Sequence, residues 1–147
     1  MIMNSRERVL AALRREEPDR VPYCELGIDR ALAQRLMGWG QPISQARDLE
    51  VNDYTVEEAK AVAARLHLDN ICYVLRPPVY ARKHPGQDGR LFYGEGLIKT
   101  EADLPLLRLP DPYADALYAE AETFVKGKGE YALWFVTRIG LFSAMLS

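Results

Sequence analysis

Three short, mostly apolar runs recur along the chain at residues 21–26, 70–75 and 131–136, and segments with helical periodicity separate them. Short apolar runs bounded by turn-forming residues are typical of buried strands. Strands that alternate with helices favour a parallel sheet, because a helix is the usual connection between parallel strands. The pattern therefore predicts an α/β protein, built either as an open doubly wound sheet or as part of a (β/α)8 barrel.

Residues with capping chemistry mark where three of the predicted helices begin. Two of these starts have the spacing of a capping box, in which side chain and backbone satisfy each other's hydrogen bonds. The boxes are Asn4 with Glu7 and Thr55 with Glu58. A further helix is predicted within residues 29–38, since it begins with an aspartate and ends with a glycine.

Turn residues divide the chain into consecutive segments. Pro85-Gly86 and Asp88-Gly89 separate two stretches of alternating residues, which predicts a β-hairpin outside the main sheet. The predicted segments are an opening helix and turn (1–20), a first βαβ unit (21–78), a hairpin insertion (79–100), and a linker, helix, third strand and start of another helix (101–147).

Charge and cysteine content limit the partners. A formal net charge of -2 gives no electrostatic basis for binding nucleic acid or an anionic membrane. Both cysteines lie inside apolar runs, which favours buried free thiols over a disulfide or a metal pair. No apolar run approaches the ~20 residues of a membrane span, and no signal-type region opens the chain. We therefore predict a cytoplasmic protein without nucleic-acid or membrane partners.

Several strings of the sequence resemble the uroporphyrinogen decarboxylase family. SRERVLAALRREEPDRVP is similar to the family's opening helix and turn, and LHLDNICYVL is similar to its second-strand segment. GEGLIKTEADLPLLRLPDP and YALWFVTRIGLFSAML are similar to its hairpin return, linker and third strand. The resemblance implies the N-terminal part of a (β/α)8 barrel, about three βα units plus a β-hairpin insertion, because a whole barrel needs ~250 residues. A complete small α/β domain is the alternative.

The resemblance also implies a type of reaction, either decarboxylation or methyl transfer. Decarboxylases of the family carry an R-Q-A-G-R motif after the first strand and a Ser-Asp pair after the second, whereas this chain has ELGIDR and LRPP. The methyl-transfer or an uncharacterised branch is therefore favoured over uroporphyrinogen decarboxylation in porphyrin biosynthesis. The implied partners of a full-length relative are a tetrapyrrole, or a methyl donor with a corrinoid protein. This chain alone is expected to be inactive and to hold no cofactor, because the family's zinc ligands lie in later strands.

Four residues near predicted strand ends are the candidate site residues, since active sites of such barrels lie at the C-terminal ends of strands. Glu25, a carboxylate in an apolar run, is the candidate acid-base residue. Arg30, Arg76 and Arg138 are the candidate ligands for anionic substrate groups. A solvent-facing position for Arg30 and a surface salt bridge for Arg76 are the alternative interpretations. Asp69, at the other end of the second strand, is interpreted as a turn residue.

A hypothesis of another class is that the chain is a non-enzymatic interaction module or a decayed gene product. An incomplete parallel sheet leaves an edge strand without a neighbour, and such an edge promotes self-association. We therefore also predict self-association through the open edge of the sheet.

Overall fold

The computed structural model describes residues 2–40, 54–75, 78–86 and 91–137. These residues form helices and strands in the mixed order that the sequence predicts for the α/β class. The elements are α1 (Ser5–Leu13), α2 (Arg30–Met37), α3 (Val56–Leu66), β1 (Asn70–Leu75), β2 (Ala81–Pro85), β3 (Leu91–Gly96), a 3-10 helix (Glu101–Leu106), α4 (Asp115–Gly127) and β4 (Ala132–Thr137).

Both predicted capping boxes are confirmed. Asn4 accepts a hydrogen bond from the Glu7 N–H at 2.8 Å, and the Glu7 carboxylate accepts one from the Asn4 N–H at 2.9 Å. Thr55 and Glu58 make the equivalent pair of bonds at the start of α3. Asp29 caps α2 by accepting the N–H groups of the first helical turn. Local side chains thus fix where these helices begin.

The main sheet consists of β1 and β4, which pair in parallel. Their register runs from Asn70 opposite Ala132 to Leu75 opposite Thr137. Helices α3 and α4 pack against the face of β1 that carries Ile71 and Tyr73. The buried core contains Ala59, Ala63, Leu68, Ile71, Tyr73, Ala121 and Phe124. The predicted third strand is therefore confirmed as the parallel neighbour of β1.

The hairpin formed by β2 and β3 is a separate antiparallel sheet, as predicted. A register shift between Ala81 and Lys83 interrupts its ladder. Most of its side chains are exposed or half-buried, with Ala81 as the buried exception among the described residues of the two strands. The predicted turn at 88–89 and the predicted helix at 141–147 lie outside the described residues.

The prediction of a buried strand at residues 21–26 is wrong. Val21 is 84% exposed and Leu26 is 59% exposed, and the segment forms no strand ladder. Pro22 has no N–H to donate, and side chains of Asp69 and Asn70 satisfy the neighbouring backbone groups instead. The first βαβ unit predicted within 21–78 is thus replaced by an extended segment that runs beside β1 in the same direction.

Candidate functional site

Asp69 fixes this extended segment, residues 21–28, to the start of β1. The Asp69 carboxylate is fully buried and accepts hydrogen bonds from Arg8 Nη1 at 2.5 Å and from Arg20 Nη2 at 2.9 Å. It also accepts the Tyr23 N–H at 2.9 Å, while the Asp69 N–H donates to the Tyr23 carbonyl at 2.7 Å. Asp69 lies in the bend before β1, as predicted, but its main role is to hold this network.

Arg8 extends the network to the turn after α1. Its guanidinium contacts Asp19 through Nε at 2.5 Å and through Nη2 at 3.0 Å, and donates to the Met3 carbonyl at 2.7 Å. Hydrogen bonds from Arg8 and from the Met3 N–H hold the pKa of Asp19 well below its usual range. The opening helix, the turn and the start of β1 are therefore joined by one set of ion pairs.

Burial and hydrogen bonding shift the pKa of Asp69 in opposite directions. Desolvation alone would raise its pKa, but hydrogen bonds from the Tyr23 N–H, Arg8 and Ser5 outweigh that effect and lower the pKa. A buried charge is tolerated only when such partners satisfy it. Asp69 is thus an ionised, fully partnered carboxylate at neutral pH, which suits a structural role.

Asn70 positions Glu25, the predicted acid-base residue. The buried Asn70 amide accepts the Glu25 N–H at 2.9 Å and donates to the Glu25 carbonyl at 2.8 Å. The Cys72 thiol donates to the same carbonyl at 3.3 Å. The Asn70 side chain therefore makes the two backbone hydrogen bonds that a neighbouring strand would make. These bonds hold the Glu25 backbone beside the first half of β1.

A pocket of about 40 Å³ lies between the extended segment, α3 and β1. We call it the α3 pocket. Its apolar lining comes from Gly27, Ile28, Ala59, Val62, Ala63, Leu68 and Ile71, and its polar lining from Glu25, Tyr54, Asn70 and Cys72. A volume of about 40 Å³ has room for a few water molecules, far less than the roughly 300–1,000 Å³ of a drug-sized ligand site. Glu25, the predicted acid-base residue, belongs to this lining.

The thiol and phenol of the α3 pocket are not activated for nucleophilic chemistry. Burial raises the pKa of Cys72 to about 11 and the pKa of Tyr54 to about 12. The Tyr54 hydroxyl donates to the Ile28 carbonyl at 2.8 Å. Both groups are therefore protonated at neutral pH, whereas a nucleophilic cysteine needs its thiolate. The thiol and the phenol of the lining therefore offer no activated nucleophile.

Arg30, the second predicted site residue, is held between α2 and α3. Its guanidinium makes a two-pronged ion pair with Glu58 at 2.8 and 3.1 Å and lies 5.4 Å from the centre of the Tyr54 ring. The hydrogen bond from Arg30 lowers the pKa of Glu58. Tyr54 lines the α3 pocket together with Glu25. Tyr54 thus links the two predicted site residues: it contacts Arg30 and lines the same pocket as Glu25.

Arg76 and Arg138, the other two predicted site residues, lie outside the described residues. In the sequence each directly follows a strand end, Leu75 for Arg76 and Thr137 for Arg138. Those two strand ends are register partners in the parallel pair. The α3 pocket instead borders the first half of β1, from Asn70 to Cys72.

Sequence reasoning missed Asn70, Tyr54 and the network role of Asp69. One signal was present: an Asp-Asn pair adjoins a buried strand, and buried polar groups need partners. The identity of those partners is not a local property, because Arg8 is 61 residues and Arg20 is 49 residues from Asp69.

Comparisons with protein-family models, with curated proteins and with solved structures found no match. Within the described ranges, no three His, Cys, Asp or Glu side chains are grouped so that they could hold a metal ion. In the same part of the chain, no helix has the length and apolar character needed to cross a membrane.

Proposed function

We propose that the chain is the N-terminal part of a uroporphyrinogen decarboxylase-like (β/α)8 barrel that acts on an anionic tetrapyrrole or on a corrinoid-linked methyl group. The observation that carries the proposal is the register of β1 and β4, in which Leu75 lies opposite Thr137. The carboxyl ends of two parallel strands therefore meet at one edge. Ligands of parallel α/β folds bind at that edge.

Two arginines follow these strand ends in the sequence, Arg76 after Leu75 and Arg138 after Thr137. Guanidinium groups bind carboxylates through paired, charge-assisted hydrogen bonds. The proposal assigns the binding of anionic substrate groups to Arg76 and Arg138. No role at this edge is assigned to Glu25, which lines the α3 pocket beside the first half of β1, or to Arg30, which is paired with Glu58.

The ion-pair network supports the family assignment. Arg8, Asp19 and Arg20 belong to the opening string of the sequence, and Asp69 and Asn70 belong to the string LHLDN. The structure joins these distant strings through direct hydrogen bonds. Two of the strings that carry the resemblance thus form a single hydrogen-bonded network. The proposal therefore uses them together as one sequence motif.

The described residues do not fit a zinc site. Among the residues that the structure describes, no three His, Cys, Asp or Glu side chains are close enough together to hold the ion. His67 ends α3 and His84 lies in β2, so they belong to different elements. No step of the proposed chemistry is therefore assigned to a metal held by these residues.

Binding of uroporphyrin, a stable oxidised analogue of uroporphyrinogen that keeps its carboxylates, tests the proposed anion site. The purified full chain is titrated with uroporphyrin, and porphyrin fluorescence reports binding. The double variant Arg76→Gln/Arg138→Gln is expected to bind at least about tenfold more weakly, because each lost charged hydrogen bond costs roughly 1.5–3 kcal/mol. Arg65→Gln, on the exposed end of α3, is the control and should bind like wild type. Equal binding by all three proteins, or none by wild type, would contradict the proposal.

A separate experiment tests whether this chain has decarboxylase activity. Incubation of the full chain with uroporphyrinogen is expected to release no carboxyl groups, because LRPP places an arginine where the decarboxylases carry an aspartate. Analysis of the oxidised products by chromatography gives the number of carboxyl groups retained. Progressive loss would overturn the methyl-transfer preference and establish decarboxylation.

A further inference from the structure

Ten consecutive residues between the hairpin and α4 lie exposed at the protein surface. They are residues 104–113, with the sequence LPLLRLPDPY, and we call them the leucine segment. Their large apolar side chains lie outside the buried core, and Leu109 and Tyr113 are 78% and 90% exposed. Single exposed leucines are ordinary on a protein surface, but five large apolar side chains in ten residues are typical of an interaction site. These side chains are Leu104, Leu106, Leu107, Leu109 and Tyr113.

Hydrogen bonds from neighbouring elements hold the leucine segment in place. The Tyr80 hydroxyl donates to the Arg108 carbonyl at 2.5 Å and accepts the Arg108 N–H at 2.6 Å, which fixes the middle of the segment. The Tyr118 hydroxyl donates to the Pro112 carbonyl at 2.9 Å and ties the end of the segment to α4. A segment that is already ordered loses little conformational entropy when it binds. The exposed leucines are therefore presented on a preorganised surface.

Acidic residues accompany the leucine segment. From the start of the 3-10 helix to the end of α4, residues 101–127 contain six acidic and two basic residues, whereas the whole chain has a net charge of only -2. The rest of the chain is therefore net positive. Five of the six acidic residues are exposed: Glu101, Asp111, Asp115, Glu120 and Glu122. The surface around the leucines thus combines apolar area with negative charge.

The backbone of the leucine segment limits the form of a partner. Pro105, Pro110 and Pro112 have no N–H to donate, and the N–H and carbonyl of Arg108 are already bonded to Tyr80. The segment is therefore a poor edge for an added strand, which needs a ladder of backbone hydrogen bonds. Recognition must proceed through side chains, and an amphipathic helix is a partner that binds in this way.

We propose that the leucine segment binds a basic amphipathic helix of another protein. The apolar face of that helix covers the leucines, and its Lys or Arg side chains lie beside the exposed carboxylates of residues 101–127. Apolar burial gives the affinity, and the opposite charges steer the encounter and select the partner. The proposal does not rest on the anion site proposed at residues 76 and 138.

Charge disfavours other occupants of this surface. The exposed carboxylates would repel an anionic membrane or a nucleic acid. A second copy that docked the same segment across a two-fold axis would bring two acidic regions together, because such an axis places like surfaces opposite each other. A helix with cations beside its apolar face complements both properties of the surface.

Two synthetic peptides of about 14 residues, roughly four helical turns, test the charge preference. Both carry leucines on one helical face, and the remaining positions are all lysine in one peptide and all glutamate in the other. Fluorescence anisotropy of the labelled peptides is measured as the full chain is added. The lysine peptide is expected to bind saturably and at least about tenfold more tightly than the glutamate peptide, and added salt should weaken it. Equal binding of the two peptides, or no binding of the lysine peptide, would overturn the proposal.

Substitutions locate the binding surface. Leu109→Ser/Tyr113→Ser removes two exposed side chains of the leucine segment and should weaken binding of the lysine peptide by at least about tenfold. Leu13→Ser/Val21→Ser, which removes two similarly exposed side chains elsewhere, is the control and should bind like wild type. Equal losses in the two variants would overturn the assignment to this segment. Sedimentation that shows a wild-type dimer dissociated by Leu109→Ser/Tyr113→Ser would show that a second copy occupies the surface instead.

A second pair of variants separates charge from apolar area. Glu101→Gln/Asp115→Asn removes two of the exposed carboxylates and should weaken the lysine peptide by at least about threefold and reduce its salt dependence. Glu16→Gln/Glu17→Gln makes the same change in charge in the exposed turn after α1 and should leave binding unchanged. Equal effects of the two variants would show that net charge alone, and not this surface, attracts the peptide.

Discussion

The start of β1 and the β2–β3 hairpin satisfy their polar groups in opposite ways. Around β1, the side chains of Arg8, Asp69 and Asn70 are buried, and each is hydrogen-bonded to a residue distant in sequence. In the hairpin, the polar side chains lie at the surface, and the ion pair between Lys99 and Glu95 spans 3.5 Å in solvent. The first region specifies one arrangement of the chain, whereas the second is held by local pairing.

Ion pairs in the two regions differ in energy because one set is buried and the other lies in water. Exposed ion pairs contribute about 0–1 kcal/mol, because water and salt screen them. Removing one member of a buried pair costs about 3–5 kcal/mol, because the remaining charge loses both water and its partner. Polar substitutions around β1 should therefore affect stability far more than those around the hairpin.

Asp69→Asn should have the largest effect. The substitution keeps the size of the side chain but leaves Arg8 and Arg20 without their buried carboxylate. We expect the free energy of unfolding to fall by about 3–5 kcal/mol, measured by urea denaturation.

The matched control is Asp103→Asn, in the 3-10 helix after the hairpin. Asp103 also accepts several hydrogen bonds, from the Lys99 and Thr100 N–H groups and the Thr100 hydroxyl, but it does so in solvent. Its loss should change stability little. Equal losses from the two substitutions would remove the distinction between the regions.

Acid should weaken the network around β1. The pKa values of Asp69 and Asp19 are lowered in the folded protein, so protons bind more readily to the unfolded chain. In the unfolded chain, carboxyl groups have pKa values near 4. The stability that these groups confer is fully present above that pH, and it declines as the pH falls toward their lower pKa values in the folded protein. Urea denaturation between neutral pH and pH 3 should show this decline in wild type and a flatter profile in Asp69→Asn. Superimposable pH profiles would contradict the role of Asp69.

Gly127→Ala tests how tightly α3 and α4 pack. A Cβ at this position would lie 3.0 Å from Val56 Cγ1 and 3.1 Å from Cγ2, and a β-branched side chain has little freedom to move. We expect a loss of about 1 kcal/mol in urea denaturation. Val56→Ala combined with Gly127→Ala should destabilise less than the two single changes added together. Strict additivity would show that the two residues do not press on each other.

Gly94→Ala makes the same change in the hairpin and should have the smallest effect. A Cβ there would overlap the His84 ring, but the imidazole is the outer end of an exposed side chain and can rotate away. The expected change in the free energy of unfolding is within about 0.5 kcal/mol. A loss larger than that from Gly127→Ala would show that the hairpin is packed as tightly as the core.

The features predicted correctly from sequence are those set by neighbouring residues. The Asn4–Glu7 and Thr55–Glu58 boxes need a spacing of three residues, so the sequence contains all the information. The same is true of β1, whose apolar residues form one run, and of the hairpin arms on either side of their turn. Local chemistry therefore accounts for most of the element boundaries.

The features that sequence missed depend on distant partners. Residues 21–26 have the composition of a strand, but Asp69 and Asn70 occupy their backbone groups with side chains. Arg30 carries no local indication that Glu58, 28 residues away, holds its guanidinium. The candidate site was accordingly predicted by residue type, whereas its geometry follows from tertiary contacts.

Native-state hydrogen exchange of the dilute full chain tests the contrast between the two regions most directly. The account predicts that amides of β1 and β4 exchange only through global unfolding, while amides of β2 and β3 exchange through local opening at least about a hundredfold faster. Hairpin amides as slow as those of β1 in the dilute protein would contradict the division into a fixed main sheet and a loosely held hairpin.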